Sequence, residues 1–183
     1  MTSAQLVNQT SGNCEWFSPT EIIEAARATM GGIDLDPASS RLANERIRAY
    51  NFFGRHGDSV WIDGLYQEWH GRVWMNHPFG RNSNGRWIGK LLREIKEGRV
   101  TQACCITYAC TSEAWFQPLF GGTAQCWLSP RTNYLLPDGT VKRGVTKGSV
   151  VTYFGGNVDL FLDAFEGLGK ITHRFWVIHK KKK

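Results

Sequence analysis

Short apolar runs along the chain alternate with segments whose apolar residues recur every three or four positions. The run 100–109 is β-prone and mostly apolar, which is typical of a buried strand, and residues 87–95 carry apolar side chains on one face of a helix that ends at Gly98. The same patterns predict further strands at 33–36, 72–75, 125–128, 149–154 and 171–178, and further helices over 19–30, 40–48, 112–119 and 160–168. Strands that alternate with helices predict an α/β fold with a mixed sheet flanked by helices.

The first helix and the strand after it carry local signals. Residues 18–21 match a capping box with proline at the first helical position, and a Gly-Gly pair at 31–32 ends the helix. The strand that follows is expected to break at Pro37, because proline lacks the N–H group that a strand ladder needs.

Composition and charge predict one globular domain over 14–179. The chain has 183 residues and no apolar run of the ~18 residues that span a bilayer, so we expect a cytoplasmic protein with no membrane partner. Residues 1–13 are polar and lack the apolar centre of a signal peptide, which predicts a mobile lead. Without the lysine run 180–183 the net charge of +6 falls to +2, 18 basic against 16 acidic residues. That run is expected to be disordered and to strengthen nonspecific phosphate contacts.

Cysteine and histidine give no metal or disulfide signal. The five cysteines include no C-x-x-C pair, and the five histidines lack H-x-x-x-H spacing. Cys104 and Cys105 lie in an apolar run, where a free cysteine packs as a small hydrophobic residue. We therefore expect neither a disulfide framework nor a bound metal.

The most informative segment is Asn76-His77-Pro78-Phe79, directly after the strand predicted at 72–75. Ligands of α/β sheets bind at the carboxyl ends of strands. The amino group of an aromatic base is a poor nucleophile, because its lone pair is delocalised into the ring. Acceptors on both amine hydrogens help to localise that pair, and the Asn76 side-chain oxygen and the His77 carbonyl can supply them. Pro78 stiffens the turn, and Phe79 can stack on a base that has left the duplex.

This segment resembles motif IV of amino-methyltransferases, (Asn/Asp/Ser)-Pro-Pro-(Tyr/Phe), with histidine at the second position. Other segments occur in the order seen in phage-type, Dam-like DNA adenine methyltransferases, and the resemblance covers about residues 14–178. They are Glu15–Pro19, Ile33–Ser39, Asp63–Leu65, Val73–Asn76, Arg131 and Val151–Gly155. The set is specific through its order rather than through any single piece.

The resemblance implies a Rossmann-like class I methyltransferase fold, S-adenosylmethionine as cofactor and adenine in double-stranded DNA as methyl acceptor. It implies that Asn76, the His77 carbonyl, Pro78 and Phe79 hold the target base. It places Asp36 near the methionine ammonium of the cofactor, a position that suits a carboxylate. The other implied cofactor contacts are Glu15, Trp16, Phe17, Pro19, Asp34, Pro37 and Asp63, the last as an acceptor for the cofactor's adenine amine.

Two polar, basic segments predict DNA contacts, because arginine and asparagine read base edges well and basic side chains bind phosphates. The residues are Arg81, Asn82 and Arg86 in the loop after the motif, and Arg131, Lys142, Arg143 and Lys147 around a hairpin turn predicted at 137–139.

Several alternatives stay open. Enzymes of the same fold act on the 4-amino group of cytosine, on RNA or on a protein amide, and spacing does not separate these substrates. A degenerate protein that only binds DNA is another rival, because His77 removes the stiffness of a double proline and adds bulk near the pocket. Asp34 and Asp36 can also simply cap a helix, and Asp63 precedes glycine in a common turn dipeptide.

Overall fold

The computed structural model describes residues 16–55, 60–80, 83–142 and 145–173, in which eight strands form one sheet. The strands are β1 Leu35–Ser40, β2 Asn51–Arg55, β3 Trp61–Ile62, β4 Gly71–Met75, β5 Val100–Tyr108, β6 Ala124–Leu128, β7 Ser149–Phe154 and β8 Gly169–His173. The α-helices are α1 Thr20–Met30, α2 Arg41–Ile47, α3 Asn84–Lys96 and α4 Val158–Phe165, and two short 3₁₀ helices span Gly64–Tyr66 and Gln117–Gly121.

The sheet has the strand order β3-β2-β1-β4-β5-β7-β6-β8. Strands β2, β1, β4 and β5 are parallel, whereas β7 lies antiparallel to both β5 and β6, and the edge strands β3 and β8 are antiparallel to their neighbours. From β1 the chain adds β2 on one side and then crosses to add β4 on the other. This reversal is a topological switch point, where open α/β sheets form a crevice at the carboxyl ends of their strands. The predicted mixed α/β sheet is confirmed.

Helices cover both faces of the sheet. Apolar residues of α1, α2 and α4 pack on one face with Trp74 and Ile106, and apolar residues of α3 pack on the other face with Val73 and Met75. The side chains of neighbouring strand residues point to opposite faces of the sheet, so β4 contributes side chains to both layers of the core. No helix in the described part of the chain is long and apolar enough to cross a membrane.

The predicted capping box at the start of α1 does not form. Pro19 takes the N-cap position with φ −56° and ψ 146°, and no side chain caps the helix. This extended residue separates Ser18 from the helix, and the buried Ser18 hydroxyl has no hydrogen-bond partner in the described part of the chain. The predicted end is confirmed, because Gly31 terminates α1 in the left-handed conformation at φ 73°.

The predicted break at Pro37 is wrong, because β1 continues to Ser40. A register shift between Asp36 and Ser39 lets the strand pass a proline that has no N–H group to donate. On the neighbouring strand, a Cβ atom at Gly54 would come within 1.8 Å of the Ser39 carbonyl oxygen, so the close approach requires glycine.

Two other predictions need correction. The segment 112–119 forms turns that lead into the 3₁₀ helix Gln117–Gly121 rather than an α-helix, since Pro118 removes a backbone donor. The last strand begins at Gly169, two residues before the predicted start, and its predicted end lies beyond the described residues. The lead 1–13 and the lysine run 180–183 also lie outside them.

Candidate functional site

A cleft lies at the switch point, over the carboxyl ends of β1 and β4. Its volume, including the open mouth, is about 830 Å³. The cleft brings together seven of the predicted site residues: Trp16, Phe17, Asp36, Pro37, Asn76, His77 and Pro78.

The Asn76 side chain is held by the chain segment that precedes α1. Its Nδ2 atom donates a hydrogen bond of 2.7 Å to the Trp16 carbonyl oxygen. Because only the amide nitrogen can donate to a carbonyl, this contact fixes the orientation of the amide. The Asn76 Oδ1 atom accepts no hydrogen bond from the described residues, so it is an available acceptor on a residue that lines the cleft.

The turn after β4 offers a second acceptor. The Ser83 hydroxyl donates to the Pro78 carbonyl oxygen at 2.7 Å and accepts from the Gly80 N–H at 3.1 Å, which holds the turn in shape. The His77 carbonyl receives no hydrogen bond from the described residues. Two acceptors therefore follow one another at the end of β4, the Asn76 side-chain oxygen and the His77 carbonyl.

The His77 side chain anchors this turn to α3. It is 1% exposed, and its Nε2 atom lies 3.0 Å from Oδ1 of Asn84, the first residue of α3. Its ring packs edge-on against Phe79 and beside Trp87, with centroid distances of 5.5 and 6.3 Å. Burial lowers the pKa of His77 to about 4, so the ring is neutral. The stiffness expected to be lost with the missing proline is thus replaced by a buried hydrogen bond.

Phe79 lies beside the cleft in a cluster of aromatic rings. Its ring centroid is 4.5 Å from that of Tyr108 and 5.7 Å from that of Tyr134. Tyr134 also meets the Trp16 ring edge-on at 6.4 Å. The cluster therefore connects the ring predicted to stack on a base with the cleft wall.

Two lysines cover rings of this cluster. Lys142 Nζ lies 5.8 Å from the centroid of the Trp16 ring, and Lys147 Nζ lies 5.5 Å from that of Tyr108. Lys142 follows the predicted hairpin, which is confirmed by an antiparallel bridge between Leu135 and Val141. Leu135 also exchanges two backbone hydrogen bonds with Phe17. Positive charge is thereby placed over two rings that lie next to residues of this turn, because Trp16 binds Asn76 and Tyr108 contacts Phe79.

Asp36 is a buried carboxyl group on the cleft wall. It is 1% exposed, and its Oδ1 atom accepts from the Ala38 N–H at 3.1 Å. None of the ion pairs among the described residues includes it. Burial raises the pKa of Asp36 to about 7, against the opposing effect of its hydrogen bonds with Ser39 and Ala38. A cation bound against this carboxyl would stabilise its ionised form.

Arg46 and Trp61 are among the cleft residues that the sequence patterns did not predict, and Ser18 lies within the predicted segment Glu15–Pro19 without having been singled out. The Ser18 hydroxyl is buried and has no hydrogen-bond partner among the described residues, so it can bond to a group bound in the cleft. Arg46, on α2, forms no ion pair with the described residues, and the Trp61 ring is 63% exposed. The sequence signals for Arg46 and Trp61 were weak, because α2 is short and polar and β3 has only two residues.

Two predicted cofactor residues lie elsewhere. Asp34 is paired with Arg72 below the cleft, at 2.6 Å between Oδ1 and Nη2, and hydrogen bonds from Arg72 lower the pKa of Asp34. Asp63 accepts from the Leu65 N–H at 2.9 Å and so caps the 3₁₀ helix Gly64–Tyr66. Neither carboxylate lines the cleft, and each contacts a structural partner instead.

The remaining predicted residues lie around the cleft or outside the described residues. Pro19 precedes α1 without lining the cleft, Arg86 donates to the Tyr66 hydroxyl, and Arg131 is exposed. Glu15, Arg81, Asn82 and Arg143 lie outside the described residues. Within the described part, no group of three His, Cys, Asp or Glu side chains is arranged to hold a metal ion.

No protein-family model matches the chain, and a search of curated proteins finds no match. A function for this chain therefore has to be argued from the geometry of the cleft.

Proposed function

We propose that this chain transfers a methyl group from S-adenosylmethionine to the 6-amino group of adenine in DNA. The observation that carries the proposal is the Asn76 amide, whose nitrogen is bound to the Trp16 carbonyl so that its oxygen stays available as an acceptor. The His77 carbonyl follows as a second acceptor at the same strand end. Two adjacent acceptors match the two hydrogens of an aromatic amino group.

The two acceptors act on the nucleophile. Hydrogen bonds to both amine hydrogens increase electron density on a nitrogen whose lone pair is otherwise delocalised. Because Asn76 is already oriented by Trp16, it needs no reorganisation as the bond forms. Bound S-adenosylmethionine would supply the methyl group, with the electron pair of the broken S–C bond remaining on sulfur. The amine held by Asn76 and the His77 carbonyl would accept the methyl group and lose its proton to solvent. No strong base is needed first, which agrees with a neutral, buried His77.

The cleft residues fit the proposed cofactor. When bound, S-adenosylmethionine supplies a methyl group on a positively charged sulfur, and its amino-acid end carries an ammonium and a carboxylate. Asp36 would hold the ammonium, and the unpaired Arg46 guanidinium would hold the carboxylate. The orphaned Ser18 hydroxyl offers a further hydrogen bond, and the exposed Trp61 ring offers a stacking surface.

The aromatic cluster and its lysines support nucleic acid as the methyl acceptor. Phe79 and Tyr108 provide ring surface for a flipped base, and Lys142 and Lys147 provide positive charge for the adjoining phosphates. A protein amide offers no phosphate groups to Lys142 and Lys147.

The proposed substrate class can be tested by offering DNA, RNA and protein in parallel to the purified chain with methyl-labelled S-adenosylmethionine. We expect label in unmethylated duplex DNA and background counts in the other two. Label that enters only RNA or only protein would contradict the proposal. Calorimetry with the same cofactor identifies a degenerate chain, which would bind DNA but not S-adenosylmethionine.

A further inference from the structure

An exposed tyrosine stands on a rigid support near the cleft. The Tyr66 side chain is 75% exposed at the end of the 3₁₀ helix Gly64–Tyr66. The support is fixed by the Asp63 cap and by a 2.7 Å hydrogen bond from the Trp69 indole to the Gly64 carbonyl oxygen. A Cβ atom at Gly64 would come within 2.0 Å of the Pro37 carbonyl oxygen, so this helix sits directly against the cleft wall.

The guanidinium group of Arg86 is hydrogen-bonded to this tyrosine. Arg86 Nη2 donates to the Tyr66 hydroxyl at 3.3 Å, and Arg86 forms no ion pair with the described residues. Arg86 lies in the first turn of α3, close to Ser83, which closes the turn after Asn76. Tyr66 and Arg86 therefore lie at the same edge of the sheet as the proposed base-binding turn.

Removing a base from a duplex exposes the faces of the bases that it leaves behind. We propose, resting on the proposed function, that Tyr66 and Arg86 form a DNA-contact pair in which the tyrosine ring stacks on the partner base of the flipped adenine and the guanidinium binds a neighbouring phosphate. A tyrosine ring supplies a sequence-tolerant stacking face, and an arginine binds phosphate while remaining in contact with an aromatic ring. The pair accounts for a large, exposed aromatic side chain beside a cation that forms no ion pair with the described residues.

The test uses a duplex built around a site that the wild-type protein methylates, with binding measured by fluorescence anisotropy. We expect Tyr66→Ala to raise the Kd for DNA between about fivefold and 100-fold, and Tyr66→Phe to stay near wild type. A second duplex has an abasic position opposite the target adenine. There the Tyr66→Ala effect should largely disappear, because no partner base remains to be stacked. Arg86→Gln should lower the salt dependence of binding by about one phosphate contact.

Tyr50→Ala is the matched control. Tyr50 is 94% exposed and directly precedes β2, so it lies at the amino ends of the parallel strands, away from the cleft at their carboxyl ends. Calorimetric affinity for S-adenosylmethionine should be unchanged in every variant, which shows that the cleft is intact. The DNA-contact pair is overturned if Tyr66→Ala binds like Tyr50→Ala, or if its defect is equal on the abasic duplex. Wild-type protein that methylates no DNA overturns the proposed function and the pair together.

Discussion

The Asn76 side-chain nitrogen lies 2.7 Å from the Trp16 carbonyl oxygen, across 60 residues of sequence. This hydrogen bond joins the turn after β4 to the segment that precedes α1, and both residues line the same cleft. It leaves the amide oxygen of Asn76 as the available acceptor. One contact therefore links the proposed cofactor cleft to the proposed amine-binding group, and it explains why the segment before α1 matters to a site formed by β4.

Asp36 is expected to lower the stability of the fold near neutral pH and to strengthen cofactor binding. Between about pH 4 and pH 7 the unfolded chain releases this proton while the folded chain retains it, so the contribution of Asp36 to stability falls as the pH rises through that window. At pH 8 we expect Asp36→Asn to recover part of a cost of the order of 4 kcal/mol. The same variant should bind S-adenosylmethionine at least about tenfold more weakly.

Urea unfolding and calorimetry at pH 6 and pH 8 check these two effects. Wild-type affinity for the cofactor should increase from pH 6 to pH 8 as the carboxyl ionises, whereas that of Asp36→Asn should stay flat. Asp159→Asn, on the exposed side of α4, is the control. Cofactor affinity that is independent of both pH and Asp36 would show that the carboxyl does not face the ligand cation.

Arg46 is expected to recognise the carboxylate of the cofactor's amino-acid end. Arg46→Gln should weaken binding of S-adenosylmethionine about tenfold or more, since a charge-assisted contact is lost. It should leave the affinity for decarboxylated S-adenosylmethionine nearly unchanged. Arg41→Gln removes the same charge from an exposed position on α2 and should affect neither ligand. An equal loss for both ligands in Arg46→Gln would place the arginine at a different part of the cofactor.

Lys142 and Lys147 are expected to contact phosphates. Replacing both with glutamine should reduce the slope of log K against log salt for DNA binding by about two, because each contact releases about one counterion. Lys96 and Lys170 are exposed on other elements, so the same double replacement there keeps the net charge equal and should leave the slope unchanged. Identical slopes for the two double variants would show that Lys142 and Lys147 act only through the net charge of the protein and not through phosphate contacts.

Restoring proline at the second motif position is expected to damage this protein. His77→Pro would leave Asn84 Oδ1 buried without its partner and open space between Phe79 and Trp87. We expect the free energy of unfolding to fall by about 2–4 kcal/mol, with no gain in activity. Chemical denaturation and initial-rate assays measure both. A stable variant with higher activity would instead indicate that His77 is a step in the decay of an enzyme.

Hydrophobic periodicity predicted the layers of the fold well, because buried strands such as β5 and the amphipathic helix α3 present long apolar patterns. It missed β2 and β3, which are short and pair at the edge of the sheet. The break at Pro37 was wrong because local propensity does not register a bulge opposite Gly54.

The candidate site was predictable in part for a similar reason. Asn76 was predicted because it follows a strand at the switch point, and Asp36 because it was expected to end one, although β1 continues to Ser40. Asp34 was placed in the same site because it is two residues from Asp36, but its pairing with Arg72 depends on a contact 38 residues away. The hydrogen bond between His77 and Asn84 likewise depends on how α3 packs, which a motif does not reveal.

The central claim is tested most directly by nucleoside mass spectrometry after single-turnover reaction of methyl-labelled S-adenosylmethionine with unmethylated duplex DNA. Wild-type protein should place the label in 6-methyladenine. Asn76→Ala should be slower by about 10²-fold or more, and Asn76→Asp should also be slowed because a carboxylate cannot donate to the Trp16 carbonyl. Label in 4-methylcytosine would contradict adenine as the substrate. Undiminished 6-methyladenine in Asn76→Ala would contradict the proposed role of the Asn76 oxygen.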